Sequence, residues 1–270
     1  MPGMCLAAVA VACSDRFPFV VASNRDEFHA RAAAPLAWWV PAAGAAPVLG
    51  GRDLEGGGTW LGLNAAGRLA LVTNVREPGR FDPAAPTRGT LVTQALAAPR
   101  ADERWLDGVL QVPRNGYNLL LAEIGAPQLL WAGNRAGPAR RLGPGLYGLS
   151  NAALDTPWPK VVQLEARLAD ALARCRDSAA LAPALFSALA DRRPAPDAAL
   201  PATGVPLARE RQLSPAFIHA ACDGGAGAYG TRCSTLVIAE RRGRGLHTQV
   251  IERRFDAAGA VEGETTVELP

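Results

Sequence analysis

The sequence predicts a single α+β domain, residues 1–270, whose strands pair largely in antiparallel fashion. Short apolar runs recur in pairs separated by turn residues, as expected for β-hairpins. The helical patterns fall between groups of these pairs and do not alternate with single strands, which excludes a βαβ rhythm. The chain shows neither an internal repeat nor a sharp change of composition, so no domain boundary is predicted.

Composition excludes several classes of protein. Apolar residues make up 49% and charged residues 20% of the 270 positions, which is ordinary globular usage and not that of a disordered chain. A net charge of +3 is too small to indicate a nucleic-acid-binding surface. No apolar run approaches the ~18 residues that a membrane-spanning helix needs, so we expect no stable membrane insertion.

The cysteines favour a reducing compartment. There are five, irregularly spaced and without a CxxC pair, which argues against a disulfide framework and against a thiolate metal site. The first residues lack a basic stretch followed by an uninterrupted apolar segment, so no secretory signal is predicted. We therefore expect a cytoplasmic protein that requires no metal and no cofactor.

The first hairpin brings reactive residues together. Leu6–Val11 and Phe17–Ala22 are predicted strands joined by a turn at residues 13–16. This hairpin returns Arg25 and Asp26 to the level of Cys5. A nucleophile, a cation and a carboxylate would then share one end of a sheet.

The segment after this hairpin is predicted to be irregular. The Pro- and Ala-rich stretch 32–47 holds two tryptophans that would pin it, and the Gly-rich stretch 50–58 follows as a loop. No helix follows that loop directly, so the dinucleotide-binding and P-loop patterns both fail. The loop is either a flexible turn or part of a pocket lining.

The later predicted strands are Thr59–Leu63, Arg68–Thr73, Tyr117–Glu123, Gln128–Ala132, Leu146–Leu149, Ser234–Ala239, Leu246–Glu252 and Thr265–Leu269.

Helices are predicted mainly in the middle of the chain. The clearest one opens at Thr156-Pro157, with the hydroxyl as N-cap and proline at the first helical position. The proline-rich stretch 191–207 is predicted to be an extended loop. The other predicted helices are Thr87–Ala98, Asp102–Leu110, Pro183–Ala190 and Ser214–Cys222.

The stretch Asn24-Arg25-Asp26-Glu27, placed after an early Met4-Cys5, resembles the signature of the NRDE family, also called the Transport and Golgi organisation two family. The other matching motifs follow in family order and extend the resemblance over nearly the whole chain. They are Gly58–Gly62, Thr73-Asn74, Arg88-Gly89, Tyr117–Leu119, Tyr147–Asn151, Thr156–Trp158 and Tyr229–Arg232.

The resemblance implies a fold and a set of site residues. The family is regarded as similar to N-terminal-nucleophile hydrolases, a four-layer αββα sandwich of two mainly antiparallel sheets. It is most similar there to cysteine amidases that cleave penicillin V or conjugated bile salts. The catalytic roles of those enzymes would fall, by position, on Cys5, Arg25, Asp26, Asn74, Asn151 and Arg232. Asn24, Arg52 and Trp60 are predicted to bind the ligand.

These residue types suit acyl transfer. A thiolate attacks an acyl carbon, and a free α-amino group on the same residue accepts the thiol proton. Arg25 would lower the thiol pKa and Asp26 would orient the amine. Asn74 and Asn151 would donate N–H groups to the tetrahedral oxyanion. The alternatives are a buried strand cysteine, a structural ion pair of Arg25 with Asp26, and asparagines that form hydrogen bonds only at turns or strand ends.

Met1–Met4 precede Cys5 in this sequence, so the α-amine that the mechanism needs is not available in the unprocessed chain. Translation from Met4 followed by removal of that methionine, or autocleavage, would expose it. Otherwise the cysteine would be catalytically silent.

Two functions remain open at this stage. One is a thiol amidohydrolase that acts on a small amide or acyl compound. The other is a non-catalytic carrier on the same fold, because family members have been linked to heme trafficking and to lipid or acyl-CoA metabolism. The sequence has no CxxCH and no Cys-Pro motif to ligate heme. A pocket rimmed by Arg25, Arg52 and Arg232 would instead hold the carboxylates of heme or of a similar ligand. The sequence identifies no protein partner.

Overall fold

A computed structural model describes residues 4–221 and 227–269, which form two antiparallel sheets of seven strands each together with five α-helices. The strands are β1 Met4–Val11, β2 Phe19–Phe28, β3 Ala33–Trp39, β4 Val48–Asp53, β5 Leu61–Leu63, β6 Arg68–Asn74, β7 Tyr117–Glu123, β8 Leu129–Gly133, β9 Gly137–Leu142, β10 Gly145–Leu149, β11 His219–Ala221, β12 Ala228–Arg242, β13 Gly245–Phe255 and β14 Val261–Leu269. The helices are α1 Gly89–Ala97, α2 Glu103–Leu110, α3 Pro159–Arg174, α4 Ser178–Leu189 and α5 Leu207–Leu213.

The strands of the two sheets follow each other along the chain in different ways. Sheet A has the order β10-β1-β2-β12-β13-β14, with β11 paired to β12, so it joins the first hairpin to the last strands. Sheet B has the order β3-β4-β5-β6-β7-β8-β9, a meander in which neighbours in sequence are neighbours in space. The long-range pairing of β2 with β12 therefore places residues from the two ends of the chain side by side.

Three buried apolar layers show the four-layer arrangement. Leu6 and Ala8 of β1 pack with α3 and α4 on one face of sheet A. Ala7 and Val9 face the other way, into a core shared with sheet B, because successive side chains of a strand alternate between its faces. Helices α1 and α2 pack against the face of sheet B that points away from sheet A. The predicted αββα sandwich is confirmed, and the alternation places the Cys5 side chain between the sheets.

Two predicted irregular stretches are strands. Residues 33–39 form β3 and the glycines at 50 and 51 lie inside β4, where an irregular segment and a Gly-rich loop were predicted. The 137–142 strand, β9, was not predicted at all. β3 and β9 are the edge strands of sheet B, largely exposed and interrupted by proline or rich in arginine, so neither has the apolar alternation of a buried strand.

Three helix predictions also need correction. The helix expected from Pro183 begins at Ser178, so that Pro183 lies inside it. The helix expected at Thr156 begins at Pro159, because this second proline holds Trp158 in an extended conformation. The helix expected over residues 214–222 is not present in the described residues: 214–218 are irregular, His219–Ala221 form β11, and the helix α5 lies just before them. Cys222, the predicted end of that helix, lies outside the described residues. Among the described helices none is long and apolar enough to cross a membrane.

Candidate functional site

The register of sheet A places Cys5 and Arg25 directly opposite each other. Cys5 of β1 pairs with Arg25 of β2, and Arg25 pairs on its other side with Cys233 of β12. A β-bulge between Thr231 and Cys233 sets this register. The three residues therefore form a row across neighbouring strands. The predicted meeting of Cys5 with Arg25 is present in the structure.

Cys5 lies in a cavity of about 280 Å³ between the sheets, here called the Cys5 cleft. Its walls include Arg25, Trp60, Asn74 and the segment 81–83 with 85–89. The cleft shares Asn74 with a neighbouring cavity of about 400 Å³, the outer cleft, which reaches Asn151. A small organic molecule therefore has room beside the thiol.

The Cys5 thiol is protonated at neutral pH while Met4 is attached. Its side chain is buried, and burial raises its pKa to about 12, with a further increase from the carboxylate of Asp26. Arg25 acts in the opposite direction, as predicted, but does not outweigh burial. The thiol in this form is a poor nucleophile.

Arg25 is buried and has no acceptor for its charge within the part of the chain that the structure describes. It is 5% exposed, and its guanidinium makes neither a hydrogen bond nor an ion pair with any described residue. The guanidinium instead stacks on the Trp60 indole, 4.3 Å from the ring centroid. Five N–H donors thus remain available to a ligand.

Asp26 points to the opposite face of sheet A from Cys5, towards helix α3. Its Oδ1 accepts a hydrogen bond from the Thr231 hydroxyl at 2.6 Å, whereas Oδ2 is buried without a partner among the described residues. Burial raises the pKa of Asp26 to about 6, opposed by the charge of Lys160. Burial likewise lowers the pKa of Lys160 to about 8, opposed by Asp26.

The two predicted oxyanion donors are connected to each other. The side-chain amide of Asn151 donates to the backbone carbonyl of Asn74 at 2.9 Å. The Ser150 hydroxyl donates to the carbonyl of Cys5 at 3.0 Å and fixes the start of β1. Asn74 lines the Cys5 cleft and Asn151 lines only the outer cleft. Asn74 is therefore the better placed of the two donors.

The structure does not bring Arg232 and Arg52 to Cys5. Arg232 donates to the backbone carbonyls of Phe28, His29 and Arg31, at 3.0, 3.2 and 2.9 Å, and so holds the end of β2. Arg52 stacks on Trp39, 5.0 Å from the ring centroid, and lines neither of the two cavities that the described residues form beside Arg25. The three arginines predicted to rim one pocket thus do not do so.

Asn24 is fully buried, and both the nitrogen and the oxygen of its side chain are hydrogen-bonded. Its amide donates to the carbonyls of Leu189 and Ala216 at 2.9 and 2.8 Å, and its oxygen accepts from Ser234 at 2.6 Å. Asn24, which was predicted to bind the ligand, therefore connects β2 to β12 and α4 through hydrogen bonds. Trp60, in contrast, lies in the wall of the Cys5 cleft.

Two residues of the site carried no predicted role. Arg88 belongs to the Arg88-Gly89 motif, and burial lowers its pKa to about 10, opposed by the nearby Cys5 and Glu27. Lys160 is the single lysine of the chain and is buried in the first turn of α3, where its Nζ donates to the Leu213 carbonyl at 3.1 Å. A lone lysine on an apolar helix face was the only available signal.

We expect iodoacetamide to label Cys13 much faster than Cys5 in the unprocessed chain at pH 8. Cys13 is exposed, and a pKa of about 12 instead of 9.0 lowers the thiolate fraction of Cys5 by about a thousand-fold. Asp26→Asn should speed labelling of Cys5, because it removes a charge that raises the thiol pKa. Peptide-resolved mass spectrometry measures both rates. Labelling of Cys5 at the rate of Cys13 would contradict the buried, protonated thiol.

No cluster of three or more histidine, cysteine, aspartate or glutamate side chains that would suit a metal ion occurs in the described part of the chain.

The family that matches this chain and two similar proteins carry the same description. The family described as Transport and Golgi organisation 2 matches residues 4–257. The Transport and Golgi organization protein 2 homolog of Bos taurus is 34% identical over 93% of this chain and 91% of its own length. The Homo sapiens homolog is 31% identical, with 86% of each chain covered.

Two solved structures are also similar to this chain. One is a mutant conjugated bile acid hydrolase from Clostridium perfringens, with a TM-score of 0.47 and 8% identity over 98% of this chain and 92% of its own. The other is a Caenorhabditis elegans ortholog of N-acylethanolamine-hydrolyzing acid amidase, with a TM-score of 0.48 and 12% identity over 86% and 92%.

Proposed function

This chain belongs to the Transport and Golgi organisation 2 family, and we propose that it is a cysteine amidohydrolase that becomes active when Cys5 is its first residue. The substrate is a small amide or acyl compound that enters the Cys5 cleft. In this proposal the chain with Met4 attached is the inactive form.

The unpartnered oxygen of Asp26 is the observation that carries the proposal. Met4 pairs with Asp26 in the β1–β2 register, so the backbone just before Cys5 lies opposite the backbone of Asp26. Oδ2 of Asp26 is buried without a hydrogen-bond donor among the described residues, which is costly for a charged oxygen. An α-ammonium group on Cys5 would supply both a donor and a positive charge at this end of the strand.

The reaction then proceeds in two halves. The neutral α-amine of Cys5 takes the proton of the thiol, and the thiolate attacks the acyl carbon to form a carbon–sulfur bond. Asn74 is placed to donate to the resulting oxyanion. The α-ammonium returns its proton to the leaving nitrogen as the carbon–nitrogen bond breaks. Water then attacks the thioester, releases the acid and restores the thiol.

Lys160 and Arg88 keep this site in its charged state. The positive charge of Lys160 opposes the burial that raises the pKa of Asp26, and so favours the ionised carboxylate that the amine requires. Arg88 lies close enough to Cys5 for the charge of the thiolate to raise the pKa of Arg88, and it lines the cleft. Lys160 thus acts on the carboxylate that orients the amine, and Arg88 lies near the thiolate that forms in the first half of the reaction.

The test compares a chain that begins at Cys5 with the 1–270 chain on a panel of acyl-aminocoumarin amides. We expect the Cys5-first chain to release aminocoumarin and to accumulate a thioester adduct, visible in the intact mass, on at least one amide. The 1–270 chain should be slower by about a hundred-fold or more, because it lacks the general base. The intact mass of the protein produced from its own gene shows which form occurs naturally.

Cys5→Ala in the Cys5-first chain should abolish turnover, whereas Cys13→Ala, which removes an exposed thiol, should leave it unchanged. Turnover that survives Cys5→Ala would assign the activity to another group. Equal rates for the Cys5-first and the 1–270 chains would show that the α-amine is not the base.

A further inference from the structure

A second cavity lies on the other side of Arg25 from the Cys5 cleft. Its volume is about 440 Å³, and Arg25 and Trp60 line both cavities. We call it the Cys233 chamber, after the thiol that occupies the same position beside Arg25 as Cys5 does on the other side. The stacked Arg25–Trp60 pair is thus the partition between the two spaces.

The chamber holds more positive charge than the protein neutralises. Arg25, Arg232 and Arg254 line it, together with Glu252 and Glu262. Burial lowers the pKa of Arg232, and Arg25 lowers it further, which places these two cations close enough to repel each other. Burial also raises the pKa of Glu252, opposed by the hydrogen bond from the Leu36 backbone and by the charge of Arg254.

The hydrogen-bonding groups show the same imbalance. The guanidinium of Arg25 makes no hydrogen bond or ion pair with a described residue, and the Nε of Arg232 is buried without an acceptor there. Unpaired cationic donors in a buried position are costly, and a planar anion such as a carboxylate satisfies a guanidinium with two parallel bonds. A carboxylate bound between Arg25 and Arg232 would also relieve their repulsion.

We propose that the Cys233 chamber binds the anionic end of the substrate, so that the substrate is an amide with a carboxylate on one arm. The amide lies in the Cys5 cleft, and the arm passes the Arg25–Trp60 partition. Trp60 is supported by Gly51, where a Cβ would come within 2.4 Å of the indole, so the position of the ring depends on that glycine. This deepens the proposed function, but the binding itself requires no turnover.

The experiment measures binding in the full chain carrying Cys5→Ala, so that failure of the hydrolase proposal does not affect it. The probes are N-octanoylglycine and its neutral counterpart N-octanoylglycinamide, titrated by calorimetry. We expect the carboxylate probe to bind about ten-fold more tightly than the neutral probe. Arg25→Met should abolish this preference. Arg140→Met is the matched control, because its guanidinium also stacks on an indole, that of Trp131, outside both cavities.

A second variant tests where the carboxylate of the probe binds, and it changes an exposed residue instead of a buried one. Glu262 is an exposed residue that lines the Cys233 chamber but not the Cys5 cleft. Glu262→Gln removes a negative charge from the chamber and should tighten the carboxylate probe about two-fold without changing the neutral probe. Equal affinity of the two probes, or no detectable binding of the carboxylate probe up to about 10 mM, would overturn the proposal. An unchanged preference in both Arg25→Met and Glu262→Gln would overturn it as well.

Discussion

Glu210→Gln is expected to lower the free energy of unfolding by about 3 kcal/mol, because it breaks a buried ion pair and leaves the cation in place. Glu210 of α5 pairs with Arg76, and each side chain is only 3% exposed. A buried lysine or carboxyl group can lose its charge when its partner is removed, but an arginine stays protonated. The loss is therefore not relieved by a change of protonation. Urea unfolding at pH 7 measures it.

The expected loss also affects the site, because Arg76 is part of the outer cleft. Its guanidinium stacks on Trp158, 4.8 Å from the ring centroid, and its backbone N–H donates to the carbonyl of Asn151 at 2.8 Å. Glu210 in turn accepts from the Thr203 amide at 3.0 Å and so connects the loop before α5 to the same pair. Weakening the pair should loosen this wall of the cleft.

The same substitution at an exposed pair provides the control. Glu123 accepts from Arg68 at 2.7 Å but is 51% exposed, so Glu123→Gln should cost less than about 1 kcal/mol. If the loss at Glu210 arises from the charge left on Arg76, then Arg76→Met should cost less in the Glu210→Gln background than in the wild-type chain. Equal losses for Glu210→Gln and Glu123→Gln would show that burial of the pair contributes no stability.

Local sequence patterns predicted the part of the site that one hairpin builds. Apolar runs on both sides of a short turn set the register of β1 and β2, and this register pairs Cys5 with Arg25. The family motif then identified the surrounding residues as a set. The prediction that this chain belongs to that family is confirmed by the match over residues 4–257.

The rest of the site depends on contacts that no local pattern encodes. A single bulge in β12 leaves Arg232 out of the pairing with β2 and puts Cys233 opposite Arg25, and nothing in the sequence marks the bulge. Lys160 and Asp26 influence each other's charge although 134 positions separate them in the chain. Such groups are brought together by the packing of α3 on sheet A, which is a property of the whole sandwich.

Gly58→Ala is expected to destabilise the protein by about 3 kcal/mol, because two backbone segments meet there without room for a side chain. A Cβ on Gly58 would lie 2.3 and 2.4 Å from the carbonyl carbon and oxygen of Gly89, and 2.7 Å from the amide of Thr90. Backbone atoms at the start of α1 cannot move aside as a flexible side chain can. The Thr59 N–H, which donates to the Gly89 carbonyl at 3.3 Å, would be displaced as well.

Gly57→Ala is the control for Gly58→Ala, because it replaces a neighbouring glycine without a steric clash. Gly57 has a φ of +76°, but no atom of the described residues lies within 4 Å of the position that a Cβ would take, so Gly57→Ala should cost only about 1 kcal/mol of backbone strain. Urea unfolding of both variants compares the two. Gly58 precedes Thr59, and Thr59, Arg88 and Gly89 line the Cys5 cleft, so the close approach that requires these glycines lies in the wall of the site. Equal losses for the two variants would mean that this crossing is loosely packed and does not define the cleft.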